Sequence, residues 1–90
     1  MNRMRELPAE LAEKLDMPED ILYSAPKLSL VAGRRALIEN HRGVLEYSPE
    51  RIVVSLRRGK LCLSGTELWL KAMNGSELLV QGHIRSVEWE

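Results

Sequence analysis

The sequence predicts a mainly antiparallel all-β domain carrying one short N-terminal helix, and three observations carry that prediction. From Pro26 onward apolar residues recur with a period of two, the mark of strands that bury one face. Glycine, proline and asparagine punctuate these runs at short intervals. The aliphatics are leucine, valine and isoleucine; phenylalanine is absent, and the aromatics are Tyr23, Tyr47, Trp69 and Trp89. A small curled sheet of about six to eight short strands follows, given usual strand lengths. The periodicities do not choose among a barrel, a sandwich and a roll.

Before Pro26 the period differs. Leu7, Leu11 and Leu15 recur at i, i+4 and i+8 with Ala12 beside them, and Pro8 suits a first helical turn. Glu10 precedes Lys14 by four, the favourable order for a surface pair. An amphipathic helix over residues 8–15 is expected, ended by Met17-Pro18, because the residue before proline is pushed out of the α region. Such a short helix needs a surface to dock on. Residues 1–25 thus read as a helical leader and 26–90 as the β domain, together one folding unit.

The strands follow in order. Leu28-x-Leu30-x-Ala32 stops at Gly33-Arg34, and Ala36-Leu37-Ile38 makes the second strand before the loop Asn40-His41-Arg42-Gly43. Val44-Leu45-Glu46-Tyr47 runs into a turn at Ser48-Pro49-Glu50. Ile52-x-Val54-x-Leu56 leads to a tight hairpin at Arg57-Arg58-Gly59-Lys60. Leu61-x-Leu63-x-Gly65, Leu68-x-Leu70-x-Ala72, Leu78-x-Val80-x-Gly82-x-Ile84 and Val87-x-Trp89 complete the set. Asn74-Gly75 is expected to form a type I′ hairpin turn. The apolar parity slips by one after Gly65 and again between Ile84 and Val87, so a bulge or corner is required at each place. Residues 59–65 and 75–82 also resemble each other, each running from a turn glycine through alternating aliphatics to a second glycine. They read as successive bent hairpins of one curled sheet.

Several strands are apolar on both sides: Leu37-Ile38, Val44-Leu45, Ile52-Val53-Val54, Leu61-Cys62-Leu63 and Leu78-Leu79-Val80. An antiparallel sheet with one solvated face alternates more cleanly. The helix or a second subunit is therefore expected over part of the outer face, and self-association is the expected state.

Composition excludes several function classes. Ninety residues form one domain with a modest core. Residues 1–24 carry three basic and six acidic side chains, and residues 25–90 carry ten and seven. Neither balance matches the footprint of a dedicated nucleic-acid binder. Cys62 is the single cysteine, which points to a reducing compartment and a buried structural thiol. No apolar run approaches a membrane span, and the N-terminus lacks a signal-peptide core, so a cytoplasmic, soluble protein is expected.

No catalytic constellation emerges, so the chain reads as not an enzyme. His41 and His83 stand apart, and no aspartate follows Asp20. A Glu39–His41 pair reads better as an exposed polar loop edge than as an acid–base dyad. His41, His83 and Cys62 lack metal-ligand spacing, and no glycine-rich loop opens a helix for a phosphate, so no metal or cofactor is expected. A competing reading is a small barrel that binds single-stranded nucleic acid on a rim of Arg34, Arg35, Arg42, Arg57, Arg58 and Lys60. Glutamates 39, 46, 50 and 67 interrupt that rim. Trp69 and Trp89 fall beside the leucine rows, and an exposed Trp69 flanked by Lys71 suits a protein interface.

One stretch is more specific. Ile38-Glu39-Asn40-His41-Arg42-Gly43-Val44, with Met17-Pro18-Glu19-Asp20 upstream, Pro26-Lys27-Leu28 at the first strand, Gly59-Lys60-Leu61-x-Leu63-x-Gly65-x-x-Leu68 and the closing Gly82-x-Ile84-x-x-Val87-x-Trp89, resembles the YabP/YqfC family of sporulation proteins. The helix-and-proline leader is nearer the YqfC branch, and the resemblance runs over about residues 15–89. It implies a protein of a Gram-positive endospore former, made in the mother cell, with a membrane-associated sporulation protein of the YqfD kind as a possible partner. It implies no catalytic residues. Asn40, His41 and Arg42 in the shared loop, with Arg57, Arg58 and Trp69, are the candidate interaction residues, because loops on a rigid sheet tend to carry function.

Overall fold

The computed structural model describes residues 24–90; the expected leader helix lies outside them. The described chain is all β, in six antiparallel strands. These are β1 (Lys27–Val31), β2 (Arg35–Glu39), β3 (Val44–Tyr47), β4 (Arg51–Ser55), β5 (Lys60–Met73) and β6 (Glu77–Trp89). They form a single open sheet in the order β1-β2-β6-β5-β4-β3, with β1 and β3 at its edges. No pairing joins those edges, so the sheet is not a closed barrel.

Two strands differ in length from the sequence reading. The runs on either side of Gly65 are one strand of 14 residues, and those on either side of Arg85 are one strand of 13. Both long strands bend where the parity slips. Ser64 pairs with Ser86 but Gly65 pairs with Ile84, so Arg85 is the extra residue on β6. Thr66 pairs with His83 and Trp69 with Gln81, leaving an extra residue on β5. A third shift between Leu70 and Ala72 turns Ala72 out of the inward row, which the alternation did not foretell.

The bend needs two glycines. Gly82 has φ +136°, and a Cβ there would lie 2.5 Å from the Glu67 carbonyl oxygen. A Cβ on Gly65 would overlap the His83 carbonyl. The two sequence segments that resemble each other therefore end on the glycines where β5 and β6 cross the bend. Backbone bonds from the neighbouring turns brace it: Gly65 donates to the Glu50 carbonyl at 3.0 Å, and Ile84 to that of Gly33 at 2.8 Å.

Folding the sheet on itself brings its inward rows into one core. Ala36, Ile38, Ile52, Val54, Leu61, Leu63, Leu68, Leu78 and Val80 are buried together with Leu56. Each aliphatic side chain of this kind stabilises the fold by about 1.5–3 kcal/mol through area removed from water. Among the described residues no aromatic joins that cluster, so its close packing rests on the branched aliphatics the composition supplies.

The turns contain one exchange. The expected type I′ turn is not at Asn74-Gly75, where neither residue has positive φ. It lies instead at Ala32-Gly33, with φ +53° and +63° and Arg34 donating to the Val31 carbonyl at 2.9 Å. At residues 74–77 the Asn74 side chain takes over. Its Oδ1 accepts from the Ser76 and Glu77 amides at 2.9 and 2.7 Å, an Asx arrangement that needs no positive φ.

Candidate functional site

The loop at residues 40–43 carries the chain from one half of the folded sheet to the other. β2 ends beside the start of β6, where Glu39 pairs with Glu77. β3 begins beside the end of β4, where Val44 pairs with Val54. Asn40, at φ +65°, turns the chain. Asn40 and His41 amides donate to the Ser76 carbonyl at 2.6 and 3.3 Å. Arg42 then donates to the Ser55 carbonyl at 2.7 Å, and Ser55 returns a bond to Gly43 at 2.8 Å.

His41 lies at the centre of this crossing and is 4% exposed. Its Nδ1 accepts the Gly43 amide at 2.9 Å, which leaves the proton on Nε2 to donate to the Asn74 carbonyl at 3.1 Å. Both ring nitrogens are thus committed to backbone. The expected exposed loop edge is corrected accordingly: His41 is a buried pin and not a solvated side chain. Glu39 points elsewhere, 4.0 Å from Lys27. Asn40 donates through Nδ2 to the Ala25 carbonyl at 2.8 Å, tying the crossing to the segment that enters β1. Arg42 is the exposed residue of the loop.

The remaining candidates fall in two places. Arg57 and Arg58, in the β4–β5 turn, line a recess with Ser24, Ala25 and Pro26. Trp69 is 46% exposed and lines a different recess with Arg34, Arg35, Gln81 and His83. Pro26 and Arg34 flank opposite ends of β1, so about 17 Å of strand separates the basic residues at one end from those at the other. The six arginines and lysines proposed as one rim do not line one groove. His83 and Arg85, which also line the bend, carried no distinguishing signal in the sequence, because their partners across it are distant in the chain.

Cys62 is buried on the outward row of the β4–β5–β6 half, paired with Val53 and Glu88. Burial pushes its thiol above the ordinary value of 9.0, and the Glu90 carboxylate adds to the effect while Arg51 opposes it. The Arg51 guanidinium reaches from Glu46, 3.4 Å from Nε, to the Cys62 sulfur, 3.8 Å from Nη2. Such a thiol is a poor nucleophile. Among the described residues no group of three or more His, Cys, Asp or Glu could hold a metal ion. No helix among them is long and apolar enough to cross a membrane.

The sheet's edges are the other exposed feature. β3 has a register shift between Val44 and Glu46 that interrupts its pairing rhythm. β1 pairs with β2 without any shift through all five of its residues. Leu30 and Val31 on β1 are 49% and 61% exposed. Leu37 and Leu79, the outward members of two doubly apolar strands, are half-buried.

The comparisons with known proteins agree with this chain-wide pattern. A family model described as the YabP family matches residues 24–90. Over 87 residues, 97% of this chain and 94% of the other, the sequence is 31% identical to the uncharacterized protein YqfC of Bacillus subtilis (strain 168). No solved structure matches. With a match that takes in all six strands and a relative alike from end to end, the chain belongs to the YabP family.

Proposed function

We propose that this chain acts in sporulation as a non-enzymatic β-sheet module that assembles with a second copy of itself, with a membrane-associated sporulation protein as a further partner of that assembly. The β1 edge, which pairs with no further strand among the described residues, is the observation that carries this reading. A regular edge strand offers unpaired N–H and C=O groups to another strand, and bulges or charges are the usual means of blocking it. β3 has such a bulge; β1 has none, its one charge, Lys27, stands at its first position, and its exposed Leu30 and Val31 add apolar surface. Pairing two β1 edges could remove from water at most the exposed half of four such side chains, worth up to about 3–6 kcal/mol before the costs of association.

The sporulation part rests on family membership. The test is complementation in an endospore-forming bacterium whose own family member has been deleted. The native chain is expected to restore heat-resistant spores, and a Leu30→Lys/Val31→Lys chain of equal abundance is expected to fail. Equal rescue by both would contradict the β1 edge as the working surface.

A further inference from the structure

The bend that folds the sheet also gathers three arginines beside a histidine. Arg34 and Arg35 follow the Ala32-Gly33 turn, His83 lies in the middle of β6, and Arg85 is the extra residue at its bulge. They line two adjoining recesses of about 560 and 530 Å3 that share Arg34, Glu67 and His83. Arg85 opens onto the first and Trp69 onto the second. Three guanidinium groups and an imidazole thus face one carboxylate.

These charges are not neutralised within the sheet. Among the described residues the salt bridges are Lys27–Glu39 and Arg51–Glu46, and none involves Arg34, Arg35 or Arg85. Arg34 is held in place by its Nη1, which donates to Nε2 of His83 at 3.2 Å. Turning the Gln81 amide so that its oxygen faces Arg35 lets it accept from Nε at 2.8 Å. The guanidinium forks are positioned but keep donors to spare, since each has five N–H groups.

Backbone strain gathers at the same place. Among the described residues three non-glycine residues have positive φ: Ala32, Asn40 and Glu67. Asn40 tolerates it through its side chain. Ala32 and Glu67 have no such excuse, and both line the first recess. Strain of this kind is retained where the surrounding structure over-determines it, often at binding sites.

We propose that the recess at the bend binds a phosphate-bearing ligand, its oxygens on Arg34 and Arg85 and the rest of the ligand toward Trp69. Guanidinium forks match phosphate in geometry and charge. A carboxylate offers one charge and two oxygens, too few to engage cations at both ends of the paired recesses. An apolar ligand fits poorly, because ligand pockets of that kind are enclosed and lined with hydrophobic groups. The recess lies beyond the turn at one end of β1 and its test leaves Leu30 and Val31 intact, so its failure leaves the assembly reading untouched.

The test is a two-dimensional amide spectrum of the full chain, titrated with sodium pyrophosphate and, at matched ionic strength, with sodium chloride. Saturable shifts at Gly33, Thr66 and His83 are expected with pyrophosphate and not with chloride. An Arg34→Gln/Arg85→Gln chain should bind about tenfold more weakly or worse, as expected when charged hydrogen bonds are lost. An Arg57→Gln/Arg58→Gln chain should bind normally. Identical responses to the two salts, or full binding by Arg34→Gln/Arg85→Gln, would overturn the proposal. In a Trp89→Phe chain, quenching of Trp69 by a nucleoside monophosphate identifies a nucleotide source. A blue shift on phosphatidylglycerol vesicles identifies a lipid headgroup, and neither change alongside pyrophosphate binding identifies a free phosphate.

Discussion

His41 and Asn74, 33 residues apart, are joined through a part-buried bond of 3.1 Å from the imidazole Nε2 to the Asn74 main-chain carbonyl. The same ring accepts the Gly43 amide on its other side. One side chain thereby fastens the β2–β3 crossing to the β5–β6 turn, and so one half of the folded sheet to the other.

Replacing His41 with alanine removes both bonds, leaves the half-buried Gly43 amide without its acceptor and opens a void. A loss of about 2–4 kcal/mol is expected, from unsatisfied groups and lost packing together. Thermal unfolding followed by circular dichroism reads it directly. Arg42→Ala, one residue on and exposed, should move stability by about 0.5 kcal/mol or less. Equal effects of the two would show that the crossing is not pinned by the imidazole.

Ala32 carries a left-handed conformation that its Cβ resists. Ala32→Asn keeps a side chain while favouring that conformation, and should stabilise the fold by about 0.5–1 kcal/mol. A neutral or destabilising result would place the type I′ turn elsewhere.

The two kinds of glycine should separate cleanly. Gly82→Ala drives a methyl group into the Glu67 carbonyl at positive φ, and is expected to destabilise by several kcal/mol. Gly75 has no atom within 4 Å of its would-be Cβ and no positive φ. Gly75→Ala should therefore be neutral or slightly stabilising, by about 0.4–1 kcal/mol, through the unfolded chain. Denaturant titration of both variants checks the contrast.

Cys62 links stability to alkaline pH. Its folded thiol has a pKa raised above the ordinary 9.0, so the unfolded chain loses that proton first as pH rises. The stability that the neutral thiol contributes is full below about pH 9 and is lost as pH climbs through the folded value. Cys62→Ala should flatten this part of the stability–pH curve. Native Cys62 should also react with iodoacetamide more slowly at pH 8 than the unfolded chain does.

Much of this architecture was legible because it is written in local alternation. The boundaries of β1 to β4 follow from apolar rows and turn residues, and the parity slips near Gly65 and Arg85 marked the two bulges that fold the sheet. What escaped notice depended on partners far along the chain. The third shift beside Lys71 follows from how β5 pairs with β6, which single-strand periodicity does not contain. Asn74-Gly75 looked like the type I′ turn because its residue types favour positive φ. The Asn74 side chain chose another route, and Ala32 took the strained conformation against its propensity. His41 reads as an exposed loop residue in the sequence, but it is buried, and its partners are Asn74 and Gly43 and not its polar neighbours in sequence. The cations at the bend were spread over residues 34–85, and only the fold brings them to one recess.

The central claim is that the regular β1 edge, unpaired on its outer side among the described residues, is a pairing surface between copies. Size-exclusion chromatography with light scattering, on the full chain over a range of concentrations, tests it most directly. The account predicts a discrete oligomer that a Leu30→Lys/Val31→Lys chain reduces to a folded monomer. A native chain that stays monomeric at every concentration would contradict it.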